Sequence, residues 1–172
     1  MTKTDIDVDT TNLLLFISRV KKNAADFRPV FRWATRQLQQ AHSRNFQTHG
    51  APVGGWKPLE ANTFYDKRHS GYGNRGILVR TGELEDSLNG SRSSIGAFKS
   101  IDDISFHYMR FGTRVPYAKF HQTGTVRMHE RQIVFVPKTF ARETANKAAD
   151  HCIMGGNPLS KSVAHSRNLF VQ

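Results

Sequence analysis

Eight histidines and several adjacent carboxylates are the side chains here whose chemistry reaches furthest. His121 and His129 flank an expected turn with Glu130 beside the second, and two imidazoles with a carboxylate are a ligand set that zinc accepts. The spacing argues against a metal site. His-Glu-x-x-His is absent, and the single cysteine, Cys152, cannot supply a Cys-rich metal site. His121 and His129 therefore read as structural or solvent-exposed, His107 as a strand residue, and His42, His49 and His69 as solvated histidines at a helix end and in loops. Asp102 and Asp103 are neighbours in what reads as a tight turn, where adjacent side chains point different ways and Asp is a favoured turn former. Gly71-Tyr-Gly-Asn-Arg-Gly76 spells Gly-x-Gly-x-x-Gly. A phosphate cradle with that pattern follows a strand and opens a helix, or joins two strands. Here it follows polar loop sequence and reads as a flexible loop. No nucleophile elbow or Walker loop is present, so no enzymatic activity, cofactor or metal is expected.

Periodicity gives the elements that would position these residues. Ile6 and Val8 alternate with Asp5, Asp7 and Asp9, the pattern of a short edge strand. Thr10 or Thr11 then caps a helix whose Leu13, Phe16, Ile17 and Val20 share a face. Asp26 reads as the next N-cap, with Pro29 in the first turn, and Phe27, Val30, Phe31, Ala34, Leu38 and Ala41 define a long amphipathic helix to about Phe46. Residues 48–76 change to Gly, Pro, His, Asn and Tyr and read as an extended loop with a helical turn near 62–68. Residues 77–79 and 84–88 are expected as strand or short helix either side of Thr81-Gly82. A hairpin is expected with strands at 95–98 and 104–109 around the turn 100–103. Pro116 opens a helical segment through His121 that Gly124 terminates, and a second hairpin returns along 131–136. A final helix covers 140–153, broken by Gly155. The expected fold is α+β: a small antiparallel sheet of about four strands with a long amphipathic helix packed on one face, an extended loop and terminal arms. One domain is expected over 1–154, including the loop 48–76, with a C-terminal arm over 155–172.

Lys and Arg number 25 against 14 Asp and Glu, a net charge of +11, so an acidic partner is expected: DNA or an acidic protein surface. Arginines interleave with aromatics in Phe27-Arg-Pro-Val-Phe-Arg-Trp33 and in Tyr108-Met-Arg-Phe-Gly-Thr-Arg114, but the helix and strand periods assign those aromatics to packing. No zinc finger, helix-turn-helix or RNP signature supports sequence readout. The apolar run over 13–17 is far shorter than the roughly 20 residues a membrane span needs, and the acidic N-terminus lacks the pattern of an export signal. One cysteine suits a reducing cytoplasm. The mean hydropathy of −0.53 points to exposed arms that order on neighbouring subunits.

Three short signatures stand in fixed order: Gly-Trp56-Lys-Pro-Leu59, Ile77-Leu-Val-Arg-Thr-Gly-Glu-Leu84 and Pro116-Tyr-Ala-Lys-Phe-His-Gln-Thr-Gly124. With Asn45-Phe46 before them, Ser87-Leu88 after the second and Ile133-Val-Phe-Val-Pro137 at the end, they resemble the virion morphogenesis or tail-completion proteins of Mu-like and related long-tailed phages. The resemblance covers about residues 27–145. It departs at the close, where the family's Pro-x-Arg-x-Phe-Leu is replaced by Pro137-Lys-Thr-Phe-Ala. It implies a structural, non-enzymatic virion protein, assembled in the host cytoplasm into a homo-oligomeric ring, with six copies the expected stoichiometry. That ring would complete the tail and join it to the DNA-filled head, between a head-closure protein and a tail terminator or tail tube, with DNA passing through without sequence readout. On this resemblance Trp56, Pro58 and Leu59 anchor one end of the loop, Leu78, Gly82 and Leu84 fix the other, and Tyr117, His121 and Gly124 shape the crossing to the second hairpin. Arg110, Arg114, Arg127 and Lys138 would face the DNA channel or an acidic adjoining ring. The alternatives are a free basic nucleic-acid-binding protein that handles phage DNA and a metal-dependent hydrolase built on His121, His129 and Glu130.

Overall fold

The computed structural model describes residues 10–91 and 96–155. Six α-helices and one hairpin are arranged in the order α1 (Thr11–Ala24), α2 (Arg28–Gln47), α3 (Ala61–His69), α4 (Glu83–Asn89), β1 (Ser100–Ile104), β2 (Met109–Thr113), α5 (Ala118–Thr123) and α6 (Phe140–Met154). Single 3-10 turns lie at Ala51–Val53 and Ala97–Lys99. The strand expected at Ile6 and Val8 and the C-terminal arm after Gly155 lie outside the described residues.

α2 is the spine. Its stripe at steps of four buries Val30, Ala34, Leu38, His42 and Phe46, while Arg32, Arg36 and Arg44 stay in solvent. α4, α6 and the hairpin all pack against it. Its first turn is organised by Asp26, which accepts the Arg28 backbone N–H at 3.0 Å and the guanidinium at 2.7 and 2.9 Å. Those bonds hold the pKa of the Asp26 carboxyl down to about 2. The helix itself begins one residue later than Asp26 alone suggests, with Phe27 in the N-cap position. α1 has Thr10 in its N-cap position without a side-chain cap bond, and none of its residues is buried.

The sheet is smaller than the alternation predicts: two antiparallel strands among the described residues, with Ser100 opposite Thr113 and Ile104 opposite Met109. The hairpin is also displaced. Asp102 and Asp103 lie within β1, and the turn is 105–108, closed by the Ser105 N–H on the Tyr108 carbonyl. Phe106 is drawn out of any ladder because its carbonyl accepts the Phe27 N–H and its ring lies 4.1 Å below the Arg28 guanidinium. Contacts with the α1–α2 junction thus decide where the chain turns. The expected second hairpin is reduced to one bridge, Thr125 with Met128. Residues 131–136 form no strand, because side chains take the bonds a neighbouring strand would have made.

The loop 48–76 is structured by α3 and by Lys67. That ammonium donates to the carbonyls of Arg75 and Gly76. The Gly-x-Gly-x-x-Gly run therefore closes its final carbonyls around a lysine, the opposite polarity to a phosphate cradle, which needs amide N–H groups facing inward.

Candidate functional site

Core packing brings the three signatures together. Phe46, Trp56, Leu84, Leu88, Val115, Ala118 and Ile133 form one cluster, with Leu78 and Val134 packed on it. Every signature contributes at least one member. Trp56 stands edge-on to Phe46, ring centres 5.4 Å apart, and its indole N–H donates to the Gln132 carbonyl at 3.0 Å. The buried Asn45 amide donates to the same oxygen at 3.2 Å.

The segment that carries Ile133 is held largely by such contacts. Gln122 accepts the Ile133 and Val134 N–H groups through its Oε1 at 3.0 and 2.9 Å and donates Nε2 to the Val134 carbonyl at 3.0 Å. The His42 ring accepts the Phe135 N–H on Nε2, and its Nδ1 lies 2.6 Å from the Leu38 carbonyl. The proton therefore sits on Nδ1, and burial holds the imidazole below its usual pKa. His42 is fully buried, not the solvated helix-end residue that its position suggests. Arg131, only 6% exposed, donates to the carbonyls of Lys57 and Pro58 at 3.1–3.2 Å. It is a buried cation satisfied by backbone, so the first signature is clamped to the segment after the third.

The second signature turns sharply. Leu78 has φ +63° and Gly82 has φ +93° just before α4. A left-handed leucine is uncommon and persists only where its surroundings dictate it. Here the side chain is held against the core cluster. Glu83 then ties three elements together: it pairs with Lys99 and accepts the Tyr117 hydroxyl at 3.1 Å. Those two partners hold the Glu83 carboxyl below its ordinary value, while burial and the same bond push Tyr117 up to about 12. Tyr117 stands edge-on to His121, whose Nδ1 is buried without a partner and whose pKa is lowered by burial and by Arg131. Gly124 has φ +69°, and a Cβ there would lie 2.9 Å from the Glu130 nitrogen.

These contacts leave a cleft of about 620 Å³ between the signatures. Leu59, Leu78, Gly82, Leu84, Tyr117, His121 and Arg127 all line it. Trp56 lies behind it in the core, Pro58 is held through its carbonyl, and Gly124 sets the turn beyond α5. Arg110, Arg114 and Lys138 are exposed on the hairpin, at its end and before α6, and do not line the cleft. Arg110 approaches the Tyr108 ring at 5.4 Å. His129 reaches the cleft wall with Nε2 3.9 Å from Glu60, but Glu130 does not line it. No group of three or more His, Cys, Asp or Glu among the described residues is placed to hold a metal ion. Among the described residues, no helix is long and apolar enough to cross a membrane. Gln122, Arg131, His42 and Glu83 are the organising residues that periodicity does not reveal. Gln122 and Glu83 do sit inside signatures, which is the one signal that points to them.

Fold and site together define an α+β protein, mostly helical, whose signature loops are locked to one another by buried side-chain-to-backbone bonds. The model of the phage virion morphogenesis family matches residues 8–149, and the chain belongs to that family. It is a bacteriophage virion morphogenesis protein, with a structural or assembly role in the virion. No curated protein and no solved structure matched the chain.

Proposed function

We propose that this protein is a component of the phage neck, a ring of identical copies that completes the tail and joins it to the DNA-filled head. The observation that carries this reading is the apolar run on α1. Leu13, Leu14, Leu15, Phe16 and Ile17 are 45–62% exposed in consecutive positions, so apolar surface faces solvent almost all round the helix. A surface of that kind is finished by another polypeptide. Membership of a virion morphogenesis family supplies the setting, and a net charge of +11 suits a ring that DNA traverses or that meets an acidic neighbour. Arg110 and Arg114, exposed on and beside β2, are the side chains assigned to that contact. Head-to-tail copies make heterologous contacts, which close into a ring when the rotation between neighbours permits. Electron microscopy of phage particles produced without the protein tests the assignment. Separate DNA-filled heads and finished tails are expected, and normally joined particles would remove it.

A further inference from the structure

We propose that the cleft between the signatures is the receptor for the acidic N-terminal strand of a second copy of this chain. The inference rests on the ring reading and gives it a specific contact. Leu59, Leu78 and Val79, all half-buried, supply apolar surface inside the cleft, and Arg80 and Arg127 supply positive charge. Neither arginine is in an ion pair among the described residues. The Glu83 carboxylate on the same wall is taken by Lys99 and Tyr117. Glu60 and Asp66 also line the cleft, with His129 and Lys67 among their lining neighbours. A fitting occupant therefore carries apolar side chains along one side and carboxylates along the other.

Residues 5–9 read Asp-Ile-Asp-Val-Asp. In extended form successive side chains alternate, so Ile6 and Val8 share one face and Asp5, Asp7 and Asp9 the opposite one. The segment matches the cleft in both respects: two branched apolar side chains for its apolar surface, and three carboxylates for its arginines. In a chain with 14 acidic residues against 25 basic ones, so regular an acidic alternation is a distinctive ligand. The donor is a second copy because the segment is continuous with α1. Every residue of that helix from Thr11 to Arg19 is exposed, so its N-terminal end leads away from the core of its own chain. One face of each copy gives a strand and a different face receives one, a heterologous contact of the kind a ring requires.

A fluorescent peptide of residues 1–12 is titrated into the full-length chain carrying Asp5→Asn, Asp7→Asn and Asp9→Asn, and into the unaltered chain, both at concentrations where they are monomeric. Saturable binding to both is expected, at least tenfold weaker when Arg80→Glu and Arg127→Glu are added. Recovery is expected when the peptide's three aspartates are replaced by lysine. Circular dichroism confirms that the doubly substituted chain is folded. Equal binding with and without the arginines, or no binding to either chain, overturns the inference. Binding only to the Asn-substituted chain means that the strand fills its own cleft, which also overturns it. Self-association that persists in sedimentation after the cleft is reversed in charge would sink this contact while leaving the neck assignment standing. That assignment fails separately, on joined particles made without the protein.

Discussion

Gln122 does with one side chain what a neighbouring strand does with its backbone: it accepts two N–H groups and donates to one carbonyl of residues 133–134. Removing it leaves those groups partly buried and unpaired. Gln122→Ala is expected to cost about 1–3 kcal/mol in urea unfolding, and an unchanged midpoint would mean that water replaces the amide without loss. His42 adds a pH dependence. Its ring is neutral in the fold, with its pKa below the ordinary 6.5 because burial disfavours the charge. A second proton on Nε2 would face the Phe135 N–H, donor against donor. Between the lowered folded value and 6.5 the unfolded chain binds more protons, so stability rises with pH there. The contribution is complete above 6.5 and is lost as pH falls below it. His121 is shifted in the same direction. Urea midpoints taken from about pH 7.5 down to about pH 5 should fall, and His42→Asn should flatten that fall. A curve of the same slope in the variant would assign the effect to His121 and other groups.

At the scale of elements, helices with a strong period are legible in the sequence and the sheet is not. α2 and α6 end within a residue or two of where periodicity and Gly155 put them, and α5 stops at Gly124 as its glycine requires. Their signals are local, since an apolar stripe and a positive-φ terminator need no distant partner. The hairpin lies away from its expected place because 104–108 alternates as well as any strand, yet Phe106 is claimed by Phe27 and Arg28, far away in sequence. The apolar run over 133–136 is real, but the backbone of 131–136 is served by Gln122, by His42 and by the His121 carbonyl, which accepts the Arg131 N–H. In α1 the apolar residues have helical spacing, but Leu13 to Ile17 remain 45–62% exposed among the described residues although the helix packs on α6. Leu14→Glu with Ile17→Glu should change the stability of the isolated chain by no more than about 0.5 kcal/mol while reducing its incorporation into virions. A loss of several kcal/mol would show that this face belongs to the chain's own core.

For the whole molecule, the three signatures are a packing system before they are anything else: Trp56, Leu84 and Ala118 share one core, and the cleft is the surface they leave between them. A consecutive run of exposed apolar residues lies on α1, and exposed cations are spread over α2, the end of the hairpin and the Arg80 and Arg127 side of that cleft. The amino-acid order by itself determined the helices, the glycine stops, the basic excess and the sequence of signatures, because each is written within a few neighbouring residues or in composition. Only the tertiary structure decided that the signatures meet, that His42 is buried and neutral, and that Asn45 and Trp56 share the carbonyl of Gln132, which lies 87 residues beyond Asn45. The physical reason is that a buried polar atom must be satisfied by whatever the fold brings within about 3 Å, and closing the chain to that distance is a property of the whole packing.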